Sequence, residues 1–318
     1  MKKLDQLPTL NDIRQTAGAI EDMIHRTPVM SSDNLNALSG ATIFFKGENF
    51  QKVGAFKMRG AASAALRLSD EERKRGLATH SSGNHAQAVA RAAQLQGVPA
   101  YIVMPIDAPA IKKAATEGYG ARIIFCQSTI EARETTLEEV VGETGATFIH
   151  PYNDYGVIAG QATAALELFE ETAPLDTVLA PIGGGGLMSG TALTTRYLSP
   201  GTEVIGAEPE AVDDAFRSFH SGRIERNPSI DTIADGLRTT LGPKTFDIIR
   251  REVDDIITVS ETAIVEAMRL IWERMKIIIE PSCAVPFAAV LRNRERFAGK
   301  RIGIILTGGN VDLGNLPF

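Results

Sequence analysis

From residue 77 onward, short apolar runs rich in β-branched residues alternate with longer stretches of helical period. LATHS, PAYIVMP, ARIIFCQ and ATFIHP read as strands, with HAQAVARAAQLQG, APAIKKAATEG and TIEARETTLEEVVGETG as the helices between them. A second series of strands, DTVLAPI, TEVIGAE, DIITVS and RIGIILT, follows with helices between. Earlier in the chain ATIFFKGE is a strand. Leu10, Ile13, Ala17, Ile20 and Ile24 recur at helical spacing behind Thr9, which can cap them. The alternation predicts an α/β fold with two open, mainly parallel twisted sheets. A small α/β domain, residues 76–150, is expected as an insertion in a larger one made of residues 1–75 and 151–318, with a ligand held between them.

The length of 318 residues suits about two domains of ~150 residues each, and 44% hydrophobic residues can fill two cores. A net charge of −6 without a basic run argues against nucleic acid or an anionic membrane as partner. The start, MKKLDQLPTLNDIRQ, has no apolar stretch after its lysines, and nowhere do about 20 apolar residues run together. A soluble cytoplasmic protein is expected. Cys126 and Cys283 lack CxxC spacing and read as reduced thiols.

Lys57, in GAFKMRGA, sits where a small-residue turn runs into a helix. Partial burial there would lower the amine's pKa and make it a nucleophile. SSGNHAQA (81–88), GGGG (183–186) and LTGGN (306–310) each follow an apolar run, so they lie at the ends of strands, where open α/β sheets collect ligands. In APIGGGGLMSG, Gly183, Gly184, Gly185 and Gly186 let the backbone and a helix N-terminus approach a phosphate. The spacing is not GxGxxG, since Met188 and Ser189 stand where the third glycine is needed. Glu208 nevertheless ends the next strand, roughly where a dinucleotide fold places its ribose-binding acid. A nicotinamide enzyme is therefore the rival reading, and it leaves Lys57, SSGNH and GGN without a role.

These segments together resemble the pyridoxal-phosphate enzymes of the serine/threonine dehydratase and serine racemase family, of the tryptophan-synthase-β fold type. The likeness runs from HRTPVMSSDNLNALSG through KGENFQKVGAFKMRG to GGNVDL. It implies that Lys57 forms the imine with pyridoxal 5'-phosphate and that Phe56 packs by the ring. Asn84 would hold the ring hydroxyl, and Gly183–Gly186 with Leu187 the phosphate. Gly236 and Glu280 would lie close to the cofactor. Ser82 stands across the ring as a second acid/base, while Ser81, Ser82, Asn84, His85 and Arg133 bind the substrate. Arg238 is a further candidate for a carboxylate. Without the resemblance, Ser81, Ser82 or Asn84 could be helix caps, His85 part of a capping turn, and the arginines solvated. Thr307 matches the hydroxyl that meets the pyridine nitrogen. A neutral partner makes the ring a weaker electron sink than an aspartate would, which favours elimination over transamination.

In serine racemase-like members the segment AEPEAVDD binds a cation, which here implicates Glu208, Asp214 and the carbonyl of Val212, with oxygen ligands suited to Mg²⁺, Ca²⁺ or Mn²⁺. Helix capping by Asp213 or Asp214 is the alternative. EPSCAVPF departs from serine racemase, where a Gly-rich segment follows Glu-Pro, so Ser282, Cys283 and Pro286 leave the substrate open. The chain stops soon after GGNVDL, so the regulatory C-terminal extension of some dehydratases is expected to be missing. The resulting expectation is a lyase eliminating water from serine or threonine. A 3-hydroxyaspartate lyase and a serine racemase are the alternatives. Expected partners are an amino-acid substrate and a second copy in a homodimer, with a nucleotide activator left open.

Overall fold

The computed structural model describes residues 1–108, 110–172 and 174–318. In chain order the strands are β1 (Val29–Met30), β2 (Thr42–Gly47), β3 (Leu77–His80), β4 (Ala100–Pro105), β5 (Arg122–Cys126), β6 (Thr147–Phe148), β7 (Thr177–Pro181), β8 (Glu203–Pro209), β9 (Asp255–Val259) and β10 (Arg301–Leu306). They form a six-stranded sheet, β1-β2-β10-β7-β8-β9, and a four-stranded one, β5-β4-β3-β6. Every pairing is parallel except β1 with β2. The register sets Leu306 beside Gly47 and Pro181 beside Ala207, so the strand ends that carry LTGGN, the Lys57 turn and GGGG share one edge.

Strands β7 and β10 are buried almost throughout, as parallel strands covered by helices on both faces must be. One side of the larger sheet packs Ile43, Phe45, Leu179, Ile304 and Phe287 together, and the other Ile182, Met188, Val204 and Ile305. The smaller sheet's core contains Leu77, Val89 and Ile102, and also Met58, Ala61, Ala62 and Ala65 from the helix Lys57–Leu66. While β1 and β2 join the larger sheet, this helix therefore seals the smaller one.

Two expectations of the periodicity fail locally. The N-terminal helix, capped by Thr9 through a reciprocal bond with Asp12, ends at Ile20 and not beyond Ile24. Ile24 is extended and buried in the core that holds Met58, so burial in the tertiary structure overrides the continuing helical period. ATFIHP supplies a strand of only two residues, because β6 is an edge that pairs with Leu77 and Ala78 alone.

Two residues along from Lys57, the fully buried Arg59 anchors the helix. Its guanidinium reaches both oxygens of Glu48 (2.7 and 2.8 Å) and both of Glu167 (2.7 and 2.8 Å). Lys46 Nζ lies 2.7 Å from Glu167 as well, and Thr27 Oγ1 donates to Glu48. The Glu167 carboxyl is held below its usual range by Arg59 and Lys46. Such buried charges persist only when every partner is present.

Candidate active site

After β2 the chain makes two tight turns, with Val53 at φ 59° and Gly54 at φ 68°. A side chain at Gly54 would stand 2.8 Å from Asn310 Oδ1, so glycine is required there on both counts. Gly309 N donates to Gly54 O (2.9 Å) and Phe56 N to Thr307 O (3.0 Å), which stitches LTGGN onto GAFK. The Lys57 amine is thereby aimed across the cleft, donating to Pro151 O at 2.9 Å with the Phe56 ring 5.2 Å away. Burial pushes this amine down to about 8, against the opposing pull of Glu280.

The glycine loop leaves β7 and enters the helix Gly186–Leu198, whose N-cap Gly185 has no side chain to occupy the first N–H groups. A Cβ at Gly184 would lie 2.2 Å from the Tyr152 ring, so no other residue fits. Thr245 Oγ1 holds Gly184 O at 2.8 Å from the far side. The loop's free N–H groups and the helix dipole make a seat for a phosphate.

The SSGN segment begins the helix Asn84–Gln96. Its N-cap is Gly83 and no side chain caps it, so the half-buried Ser82 hydroxyl is not spent on capping. Ser81 Oγ accepts from Gly83 N. Asn84 Nδ2 donates to both oxygens of Glu280 (3.0 and 3.1 Å), and its Oδ1 accepts from Asn310 (2.9 Å), fixing which way the amide points. Glu280 is buried and pushed up to about 7, chiefly by desolvation. The His85 ring turns inward, with Nε2 2.9 Å from Ile149 O and Nδ1 buried without a partner. A carbonyl can only accept, so the proton sits on Nε2 and burial keeps the ring neutral. His85 can offer a carboxylate only its main-chain N–H.

Arg133 lies on the rim of the smaller sheet, where His80 and Cys126 feel its charge, and its Nε is buried without a partner. Arg238 is exposed and donates to Thr232 O. Gly236 N donates to Ser282 Oγ (3.0 Å), which sets the Asp235–Leu237 turn above Gly183. Both cysteines are free, and burial raises the Cys283 thiol to about 12.

Thr307 Oγ1 is buried with no hydrogen-bond partner, at the end of β10 beside the Lys57 turn. An orphaned hydroxyl there, an amine depressed toward neutrality and a bare glycine loop together fit pyridoxal phosphate: each is a group that the cofactor's ring nitrogen, aldehyde and phosphate would satisfy.

Glu208 and Asp214 are both fully buried. Glu208 accepts from Ala215 N (3.1 Å) and Phe216 N (2.9 Å), so it caps the helix Asp214–Ser221, while Asp213 binds Arg217 instead. Asp214 takes Asn227 and Leu241 N. Burial drives both carboxyls upward, Asp214 to about 6, and Asp214 adds repulsion to Glu208. Val212 is buried in the turn between them. Two buried, mutually repelling carboxylates suit a hard cation; among the described residues no group of three or more His, Cys, Asp or Glu side chains does so. The burial of Glu208 also removes it as a ribose ligand.

Sequence reasoning missed the His150–Asp154 loop. His150 Nδ1 accepts from Tyr152 N and Asn153 N, burial holds it neutral with a pKa near 4, and Pro151 O receives Lys57. A row of rings, His80–Phe148–His150–Tyr152, runs from the rim to the glycine loop. The rule that ligands gather at strand ends, applied to ATFIHP, would have found it.

A family profile described as "Pyridoxal-phosphate dependent enzyme" matches residues 20–308. The β-hydroxyaspartate dehydratase of Paracoccus denitrificans is 51% identical over 312 residues, covering 98% of this chain and 99% of that protein. The L-threo-3-hydroxyaspartate ammonia-lyase of Saccharomyces cerevisiae is likewise 51% identical, over 96% of this chain and 94% of its own length. Among solved structures, maize serine racemase superposes with a TM-score of 0.95 at 46% identity, covering 97% of this chain and 95% of that one.

Proposed function

Because the chain belongs to the pyridoxal-phosphate-dependent enzyme family, we propose that it is an ammonia-lyase removing water from a β-hydroxy-α-amino acid, with 3-hydroxyaspartate ahead of serine and threonine. The observation that carries the reading is the Lys57 amine, lowered to about 8 and framed by the glycine loop, the orphaned Thr307 hydroxyl and Asn84. The order of substrates rests on the two relatives named for hydroxyaspartate.

Pyridoxal phosphate, when bound, supplies the electron sink that lets the substrate's Cα proton leave. Lys57 Nζ binds it and holds that proton. The N–H groups from Gly183 to Leu187 hold the phosphate, Thr307 Oγ1 the ring nitrogen, Asn84 the ring hydroxyl, and Phe56 packs on the ring, with Gly236 and Glu280 at its edge. Ser81, Ser82, Asn84 and the His85 N–H orient the substrate carboxylate at a helix N-terminus, with Arg133 on the rim. Hydroxide leaves Cβ with a proton as water. The enamine so released takes up water and yields a 2-keto acid and ammonia. Racemisation by Ser82 is a second reading, favoured by a hydroxyl that no cap consumes.

Further parts of the proposal are Mg²⁺, Ca²⁺ or Mn²⁺ at Glu208, Asp214 and Val212 O, a two-domain division at residues 76–150, and a cytoplasmic homodimer. No helix among the described residues is long and apolar enough to cross a membrane. Keto-acid formation from a panel of serine, threonine and the 3-hydroxyaspartate isomers, with and without added nucleotide, tests the reading. A panel without any keto acid would end it.

A further inference from the structure

One ion pair crosses the mouth of the cleft. Lys112, on the helix Ala110–Glu117 of the smaller sheet, places Nζ 2.7 Å from Asp235 Oδ2. Among the described residues it is the one salt bridge joining residues 77–148 to the rest of the chain. Asp235 opens the turn whose Gly236 is held by Ser282 Oγ. A side chain at Gly236 would point within 4.0 Å of Glu280 Oε1, and one at Gly183 would meet Gly236 O at 3.0 Å. The turn that carries Asp235 therefore stands over the glycine loop and next to the Asn84–Glu280 contact.

The side chains of Lys112 and Asp235 remain 27% and 40% exposed. An ion pair so open to water contributes little to stability, and its partners exchange readily. A serine side chain brings no charge to meet it. A substrate carrying a second carboxylate on Cβ brings an anion to the mouth of the same cleft, where a partly exposed ammonium from one half and a wetted aspartate from the other already meet.

We propose that Lys112 binds the distal carboxylate of a dicarboxylic substrate, exchanging Asp235 for it, and that this pair makes the site selective for such acids. This inference rests on the lyase reading for its substrate, and the residue it names is neither of the carboxylate candidates Arg133 and Arg238. Asp235 loses nothing in the exchange that water cannot replace.

The test uses the holoenzyme and two ligands with no β-hydroxyl to eliminate, L-aspartate and L-alanine, with binding read by calorimetry or by the cofactor's absorbance. Wild type should bind aspartate roughly tenfold or more tightly than alanine, as a charge-assisted hydrogen bond allows. The preference should fall to about twofold or less in Lys112→Gln, survive in Lys112→Arg, and rise in Asp235→Asn, where the competitor is gone. A preference that survives Lys112→Gln, one that is lost only in Arg133→Gln, or no preference in wild type overturns the assignment. Since neither ligand can lose water, absence of keto acid from 3-hydroxyaspartate would sink the lyase reading without altering this outcome.

Discussion

The Lys57 amine donates to the carbonyl oxygen of Pro151 at 2.9 Å, so the base expected from one half of the molecule is held by a loop that ends the smaller sheet. The contact fixes which way the amine points. Borohydride reduction of the holoenzyme should fix the cofactor on Lys57 and on no other lysine, as peptide mapping can show. Lys57→Ala should lose the visible band and at least about 10³-fold in turnover.

The depressed amine predicts a pH dependence. Its free base gains population as pH rises through about 8, so capture of pyridoxal phosphate by the apoprotein should accelerate up to that pH and level off above it. The unfolded lysine binds a proton up to 10.5, so between about 8 and 10.5 the unfolded state holds more protons and this group's contribution to apoprotein stability rises with pH. A capture rate that keeps climbing from pH 9 to 10, as for a lysine at its ordinary 10.5, would contradict the depression.

If Glu208 and Asp214 hold a cation, chelator should lower the melting temperature and Mg²⁺ or Ca²⁺ restore it, by about 2.7 kcal/mol at a hundredfold excess over Kd. Asp214→Asn relieves the repulsion, so in chelator it should melt above wild type and gain nothing from metal. Equal melting of wild type with and without chelator, and no metal by elemental analysis, would leave Glu208 as a helix cap alone.

Ser82 and Lys57 are proposed to face opposite sides of the cofactor ring. Ser82→Ala should keep most elimination from the enantiomer served by Lys57 and lose racemisation, measured by chiral chromatography. Full racemisation in the variant, or equal loss of both reactions with normal cofactor binding, would refute the two-base arrangement.

Arg59→Ala leaves Glu48 and Glu167 buried without their counter-charge, which should cost roughly 3–5 kcal/mol in denaturant unfolding. A loss below about 1 kcal/mol would mean that the network relaxes or admits water.

Local chemistry alone determined much of this protein. Apolar runs alternating with helical periods announced both parallel sheets, GGGG, SSGN and LTGGN could be placed at strand ends, and Lys57 at a turn running into a helix, because strand and helix periods and glycine turns are properties of neighbouring residues. Family resemblance put serine or threonine first among substrates, whereas the most similar relatives reported above are named for hydroxyaspartate. What only the tertiary structure decided are relations between residues distant in sequence. These include Ile24 leaving its helix for a core, the inward turn of His85, Tyr152 beneath Gly184, and Glu208, not Asp213, capping a helix. Asn84 meeting Glu280, and Lys112 reaching Asp235, are of the same kind. Each depends on which groups burial strips of water and which partner then lies within hydrogen-bond reach, and no local pattern encodes that choice.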